Sequence, residues 1–297
     1  GAAAAAAGGY THVFILPNTS PAIHSKSQVE YVKEKSRALP VNIHPIGAIS
    51  KNAEGKDLAE MYDMFSCGAM AFSDGVKPVQ SSGLLLKALQ YVKAFDGIVI
   101  QMPDDKSIGT HGLVNEGIIS TRLGLPGKPS IAEEMMVARD IELAAYTDSR
   151  LHFTGISSQK SLQLIQKAKN DGLKVSCSVT PYHLYFSDED LTGYDTNLKV
   201  NPPLRTPDHV QALKEAVNNG VVDGIASHHF PQEWDSKTCE FEYAAYGMTG
   251  LETAFGVAGA TGITPERWIE LSVINPRNIF NLPGAEIKEG IVADLTL

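Results

Sequence analysis

Residues 151–183, LHFTGISSQKSLQLIQKAKNDGLKVSCSVTPYH, decide the fold of this chain. An apolar run at 151–156 precedes an amphipathic stretch at 158–170, which ends in a glycine stop at Gly172, and a second apolar run follows at 174–179. Apolar runs with little alternation are typical of parallel strands that are buried on both faces. The stretch therefore predicts a strand, a helix and a second strand parallel to the first.

The same alternation extends along the rest of the chain. Further apolar runs lie at 11–16, 41–49, 69–72, 97–101 and 222–226, and further amphipathic stretches at 27–36, 55–66, 83–94, 130–146 and 207–218. Seven such units in a row indicate a parallel barrel or a doubly wound sheet. No GxGxxG follows the first strand and no GxxxxGK[ST] occurs, so the nucleotide-binding folds lack their signatures. We therefore predict an α/β fold, a (β/α)8 TIM barrel.

Both ends of the sequence read as parts of larger elements. Residues 1–9, GAAAAAAGG, read as the last turns of a helix that two glycines terminate, and residues 291–297, IVADLTL, read as a new strand. We expect the first barrel strand to lie upstream of residue 1. The predicted barrel domain covers 1–283, and 284–297 begins a C-terminal segment.

Composition excludes several classes of function. The chain has 297 residues and a net charge of −9, and its basic residues are scattered, which argues against a nucleic-acid partner. Its three cysteines form neither a CxxC pair nor an even disulfide set, which predicts a reducing, cytoplasmic setting. The apolar stretches are far shorter than the ~20 residues of a membrane span, so no membrane association is expected.

Polar residues cluster just after the predicted strands, at 17–18, 73–74, 101–104, 180–183 and 227–229. Barrel enzymes place their sites on the loops at the carboxyl ends of the strands. A small-molecule ligand is therefore expected at the barrel mouth.

Several of these segments occur together in a recognisable order. They are LPNTSP at 16–21, GAMAFSDG at 68–75, LGLPGKPSIAEE at 123–134, VTPYHL at 179–184, GYDTNLKVNPPLR at 193–205 and GLETAF at 250–255. In these segments the chain resembles the bacterial dihydroorotases of the amidohydrolase superfamily. Two of these segments are specific to the family: VNPPLR at 200–205, which follows YDTN, and LGLPGKPSIAEE at 123–134. PNT or GLET alone would carry little weight.

The resemblance implies a metal-dependent hydrolase barrel with a small β-sandwich assembled from the two chain ends, most of it beyond this sequence. Members of this family bind one or two zinc ions, which activate water to open the dihydroorotate ring. Zinc suits this chemistry because it takes imidazole and carboxylate ligands and lowers the pKa of bound water towards ~7. A further carboxylate passes a proton to the leaving nitrogen.

Residue by residue, the sequence departs from this pattern. Asp74 matches the family's metal-binding aspartate, but Gln101 and Gly155 stand where the family has histidine ligands, and His228 stands where it has the catalytic aspartate. The family's first two histidines, an HxH, would lie upstream of residue 1. We predict no intact catalytic set and no zinc, or at most one ion.

The substrate-contacting asparagines of the family are matched by Asn18 and Asn201. Both could instead brace loops, and Asp74 could cap a turn. His152 is expected to pack inside its strand, and His228 is expected to be a hydrogen-bonded neutral residue rather than a zinc ligand.

Three functions follow from the resemblance. The first is a dihydroorotase-like protein of pyrimidine biosynthesis with lost or strongly reduced hydrolase activity, which acts as a scaffold or binding protein, forms homo-oligomers and docks on aspartate carbamoyltransferase. The second is an active dihydroorotase or related cyclic-amide hydrolase that uses a mononuclear zinc. The third is a small-molecule binding protein.

Overall fold

The computed structural model describes residues 1–291 and 293–296. Within them the strands are β1 (His12–Ile15), β2 (Asn42–Pro45), β3 (Ile98–Gln101), β4 (Val114–Asn115), β5 (Gly127–Lys128), β6 (Arg150–Thr154), β7 (Val175–Val179) and β8 (Gly224–Ile225). All the strand pairs are parallel.

The strands of the barrel follow one another in chain order. β1 pairs with β2, and β3, β6, β7 and β8 form a four-stranded sheet in that order. Phe72 joins the two sheets, because it makes parallel bridges to Gly47 beyond β2 and to Val99 in β3. The separate pair of β4 and β5 belongs to an excursion after β3. The predicted (β/α)8 class of fold is thus confirmed. The described residues supply seven of its parallel strand positions, which are β1, β2, the bridge at Phe72, β3, β6, β7 and β8.

The described helices are α1 (Ala2–Ala7), α2 (Lys26–Ser36), α3 (Met61–Ser66), α4 (Ser82–Lys93), α5 (Ile118–Leu123), α6 (Ile131–Thr147), α7 (Gln159–Asn170), α8 (Pro181–Tyr185), α9 (Pro207–Asn218), α10 (Trp234–Lys237), α11 (Ala254–Ala260), α12 (Pro265–Ile269) and α13 (Asn275–Ile279). Short 3₁₀ segments cover Lys51–Ala53, Asp188–Gly193 and Thr196–Leu198, and a π-helical turn covers Glu270–Ile274. Local chemistry sets several helix starts: Ser81 and Ser158 accept backbone N–H bonds at the starts of α4 and α7.

Two apolar layers flank the sheet. Val99 and Phe153 point outwards into the large cluster that the helices cover. Ile98 and Ile100 point inwards and pack with Phe280. This two-residue alternation along β3 decides which side chains reach the barrel interior.

The predicted strands are found, with shorter bounds, except at 69–72, where only Phe72 bridges its neighbours. The helix predicted at 55–66 begins only at Met61. Residues 284–291 and 293–296 contain no assigned strand, and Val292 and Leu297 lie outside the described residues. The domain boundary at 283 therefore stays a prediction. None of the described helices combines the length and the apolar character that a membrane crossing requires.

Candidate functional site

The carboxyl ends of the strands form the barrel mouth, and Asp74 lies just beyond the bridge at Phe72. Its carboxylate is fully buried and is held from one side by Ser50. The backbone N–H of Ser50 donates to Oδ1 at 2.9 Å, and its hydroxyl donates to Oδ2 at 2.5 Å. Burial raises the pKa of Asp74, while the Ser50 bonds oppose that rise. Both carboxylate oxygens thus accept hydrogen bonds from Ser50, which lies in the segment after β2. The Asp74 side chain therefore does not cap the turn that follows it.

Gln101 does not face the mouth, and this corrects the assignment made from sequence. The side chain is buried, its Nε2 donates to Asp140 of α6 at 3.3 Å, and its Oε1 accepts from the backbone of Val79 at 3.4 Å. Gln101 pairs in register with the outward-pointing Phe153. The next residue, Met102, instead lines a cavity at the mouth. Side chains on one face of a strand recur every second residue. The sequence signal that places Met102 at the mouth is thus its two-residue spacing from Ile98 and Ile100, which point into the barrel.

Gly155 and His228 occupy one region of space. A Cβ built on Gly155 would lie 2.6 Å from Cε1 of His228 and 3.4 Å from its Nδ1. The imidazole of His228 therefore fills the volume that a side chain at 155 would need. Both residues have left-handed backbones, with φ of +72° at Gly155 and +41° at His228. The two positions are thus sterically linked, which the sequence alone does not reveal.

A chain of hydrogen bonds inside the barrel holds His228. Its Nε2 lies 2.8 Å from Oγ1 of Thr154, which in turn accepts from Ser178 at 3.0 Å. His152 joins the other end, with Nε2 3.0 Å from Oγ of Ser178 and Nδ1 2.8 Å from Oγ of Ser176. The tautomer of His228 decides whether its Nε2 donates to Oγ1 of Thr154 or accepts from it.

Burial keeps both of these histidines neutral. It lowers the pKa of His228 to about 4 and that of His152 to about 3. The structure thus places His152 inside the barrel as a hydrogen-bonded packing residue. His228 is a neutral imidazole, and among the described residues its side chain hydrogen-bonds to Thr154 and to no carboxylate, so this position carries no negative charge.

Asn18 and Asn201 brace loops. Nδ2 of Asn18 donates to the backbone oxygen of Asp74 at 3.0 Å, and its Oδ1 accepts from the backbone of Val76 at 3.0 Å. A Cβ on Gly75 would lie 1.8 Å from Oδ1 of Asn18, so this close approach requires glycine at 75. Asn201 accepts from Nζ of Lys128 at 2.9 Å. A role in substrate binding remains a proposal for both residues.

Zinc does not fit the donor set of these positions. Met102 and Gly155 stand at the mouth, both oxygens of Asp74 bond Ser50, and Nε2 of His228 bonds Thr154. Thioether sulfur is a soft ligand, and glycine supplies no side chain. In the part of the chain that the structure describes, no group of three or more His, Cys, Asp or Glu residues is arranged to hold a metal ion.

A buried polar cluster around Arg205 and Glu133 lies beside the mouth, and the sequence patterns do not predict it. Arg205 is 1% exposed, and it donates to Ser157 and Asn115 at 3.0 Å each and to the backbone oxygen of Lys128 at 3.2 Å. Glu133 is also buried and accepts from the backbone N–H groups of Ser157 and Ser158. The VNPPLR and AEE segments carry Arg205 and Glu133, but nothing in their spacing shows that the two residues meet.

The overlap of Gly155 with His228 gives a first testable result. We expect Gly155→Ala to lower the free energy of unfolding by about 2–5 kcal/mol, because a left-handed alanine costs ~1–2 kcal/mol and overpacking adds ~1–3 kcal/mol. Gly172→Ala is the matched control, since Gly172 has a φ of +81° but open space around its Cβ position. Urea unfolding of both variants, and of Gly155→Ala combined with His228→Ala, measures the difference. Equal losses in the two single variants would contradict the overlap.

The chain matches a known protein family in sequence. A family model described as dihydro-orotase-like matches residues 1–161. The chain is 41% identical over 302 residues to a dihydroorotase of Pelotomaculum thermopropionicum, and 42% identical over 303 residues to one of Carboxydothermus hydrogenoformans. These alignments cover all of this chain and 71% and 70% of the two relatives.

Solved structures show the same fold. An L-hydantoinase (dihydropyrimidinase) from Arthrobacter aurescens superposes with a TM-score of 0.82 at 22% identity, over 94% of this chain and 65% of that one. A dihydropyrimidinase from Brevibacillus agri gives a TM-score of 0.77 at 18% identity, over 95% and 65% of the two chains. The chain thus spans about two thirds of the length of these enzymes.

Proposed function

The chain belongs to the dihydroorotase family of the amidohydrolase superfamily, and from this premise we propose that it has lost most or all of the family's hydrolase activity. In this proposal the barrel serves pyrimidine biosynthesis as a scaffold or binding protein. Ring opening of dihydroorotate to carbamoyl aspartate is negligible.

The observation that carries the proposal is the imidazole of His228 in the space above Gly155. Two positions at which the family resemblance implies different metal-site groups are here filled by one neutral ring. A histidine side chain at 155 cannot fit beside this ring. The ring therefore fills the space of the metal ligand expected at 155, and no metal-binding side chain is present there.

The chain's own residues offer little replacement for the missing chemistry. A carboxylate that transfers a proton contributes about 10²–10⁴-fold to a rate. His228 stands at that position, and with a pKa of about 4 it is neutral at pH 7, and its Nε2 is already hydrogen-bonded to Oγ1 of Thr154. Even an outer-shell partner of a metal ligand is worth ~10–100-fold, and here the ligand positions themselves are changed.

A direct assay of dihydroorotate hydrolysis by the purified chain tests the proposal. We expect no turnover above a protein-free control, measured in both directions and with added zinc. Turnover at an ordinary enzyme rate of ~1–10³ per second would overturn the proposal. It would then favour the active-hydrolase alternative.

The scaffold role is supported by what the sequence keeps. Similarity to dihydroorotases extends over the whole chain. In this proposal the barrel fold is therefore kept, while the residues at the mouth no longer support hydrolysis. We propose homo-oligomers that dock on aspartate carbamoyltransferase in the cytoplasm. Native co-purification at physiological salt is expected to recover the transferase with this chain, and recovery of this chain alone would count against docking.

A small-molecule binding role is the second candidate, and one observation favours it. Next to the mouth lies a small cavity of about 10 Å³, which is room for about one water molecule and is lined by Met102, Pro103, Asp104, Lys128, Glu133, Asn201, Pro202 and Arg205. Its lining combines apolar side chains with convergent charged groups, and a ligand larger than water requires lining side chains to move.

A further inference from the structure

The outward face of α6 is apolar, although it lies on the surface of the barrel. α6 packs between α4 and α7, and the residues on its far side recur at the spacing of one helix face. We call this set the α6 stripe, and its members are Ile131, Met135, Ala138, Glu142, Ala145 and Tyr146. The three largest apolar side chains, Ile131, Met135 and Tyr146, are 49%, 54% and 77% exposed.

The helices around α6 have polar outward faces. The exposed residues of α4, α7 and α9 include Lys87, Gln90 and Lys93, then Lys160, Gln163, Gln166 and Lys167, and then Gln211, Glu215 and Asn218. A surface helix is ordinarily apolar only on the side that faces the core, so the fold does not require the α6 stripe. An exposed apolar stripe with a polar rim is instead typical of a protein–protein contact surface.

The spacing of the α6 stripe is the same when it is read in either direction. Ile131 and Met135 are four residues apart, Met135 and Glu142 are seven apart, and Glu142 and Tyr146 are again four apart. Two copies of α6 that pack antiparallel therefore bring Ile131 against Tyr146 and Met135 against Glu142. A two-fold interface requires a surface that is complementary to itself in this way.

We propose that the α6 stripe is the surface through which two copies of this chain form a two-fold dimer. Ile131, Met135 and Tyr146 form the apolar centre of the interface, and methionine and tyrosine are residue types that such centres favour. Ala138 lies next to the two-fold axis, where its small side chain allows the two helices to approach closely. The inference rests on the homo-oligomer of the proposed function and assigns its surface.

The charged residues of α6 suit this pairing. Glu142 is the one charged member of the α6 stripe, and in the antiparallel pair it lies within about one helical turn of Arg139 of the second copy. The guanidinium of Arg139 is turned towards its own chain, because it donates to Asp140 and to the backbone oxygens of Val79 and Gln80. Arg139 therefore places a positive charge beside the axis without covering the stripe.

Sedimentation equilibrium of the purified chain and its variants tests the surface. The unmodified chain is expected to be a dimer. Met135→Glu places a carboxylate opposite Glu142 of the other copy, and symmetry makes this contact occur twice. Like charges in contact across an interface are strongly unfavourable, so we expect dimerisation to weaken by at least ~100-fold.

A second substitution identifies the contact as one between copies. Adding Glu142→Lys to Met135→Glu is expected to recover most of the lost affinity, because opposite charges then meet across the interface. Positions 135 and 142 of one helix are about two turns apart and do not form a pair within the chain as i,i+4 residues do. Tyr31→Glu on α2 is the matched control, since Tyr31 is another exposed aromatic residue on a helix, and no change in dimerisation is expected there.

The possible results separate this surface from the homo-oligomer itself. If Met135→Glu dimerises as tightly as the unmodified chain, the α6 stripe is not the interface, and the homo-oligomer of the proposed function stands. A monomeric unmodified chain would overturn both. No recovery on adding Glu142→Lys would contradict the antiparallel pairing.

A cross-linking variant provides the test if Met135→Glu does not fold. Ala138→Cys is expected to join two copies through a disulfide on mild oxidation, since residue 138 meets its own copy near the axis. Gln211→Cys on α9 is the control, because α9 lies outside the proposed interface. A non-reducing gel measures the covalent dimer, and no more of it in Ala138→Cys than in Gln211→Cys would overturn the inference.

Discussion

The triple variant Met102→His, Gly155→His and His228→Asp is expected to bind zinc at least ~100-fold more tightly than the unmodified chain. It supplies two imidazoles and a carboxylate, and three protein ligands of this type are a common zinc set. Loss of an outer-shell partner alone costs ~10–100-fold in affinity, so restoring direct ligands is expected to exceed that range.

The three changes have to be made together. Gly155→His alone places its side chain in the volume of the His228 ring, and His228→Asp removes that ring. Histidine is also among the residues that tolerate the left-handed backbone at 155.

The matched control replaces Met102→His with Gln101→His and keeps the other two changes. Since Gln101 points towards Asp140 on α6, this variant is expected to gain no comparable affinity and to be less stable. Zinc competition against a chromophoric chelator measures both variants. Equal affinities would contradict the assignment of Met102 to the mouth.

Arg205→Met is expected to lower the free energy of unfolding by about 3–5 kcal/mol. Breaking a buried charge pair on one side leaves the other charge uncompensated, and that is the range such changes cost. The substitution also removes the groups that donate to Asn115 and Ser157. Both acceptors are buried, so the lost bonds leave buried polar atoms without a partner.

The control for this variant is Arg37→Met. Arg37 pairs with Glu34 on the surface, where the arginine side chain is 77% exposed, so a change within ~0.5 kcal/mol is expected. Denaturant unfolding with matched m-values compares the two. If both variants lose a similarly small free energy of unfolding, the hydrogen bonds of Arg205 do not stabilise the fold, which contradicts this prediction.

Sequence patterns predicted the fold well because the periodicity is local. The apolar runs around 98–101 and 150–154 record burial on both faces, and the helix starts follow capping residues such as Ser158. The run at 69–72 was predicted as a strand but contributes only Phe72, because strand length depends on neighbours that are distant in the sequence.

The site was harder to predict because it depends on side-chain direction and on contacts between remote segments. A shift of one residue separates Gln101, which faces α6, from Met102, which faces the mouth. The overlap of His228 with Gly155 joins residues 73 positions apart, and Asp104 contacts Lys128 and Asn201 from two other segments of the chain. No local pattern carries such contacts.

The number of zinc ions bound by the unmodified chain tests the central claim most directly. Elemental analysis after equilibration with excess zinc and removal of loosely held ions gives this number. The proposed loss of the family's metal site predicts no zinc, or at most one ion per chain. Two zinc ions per chain would contradict it.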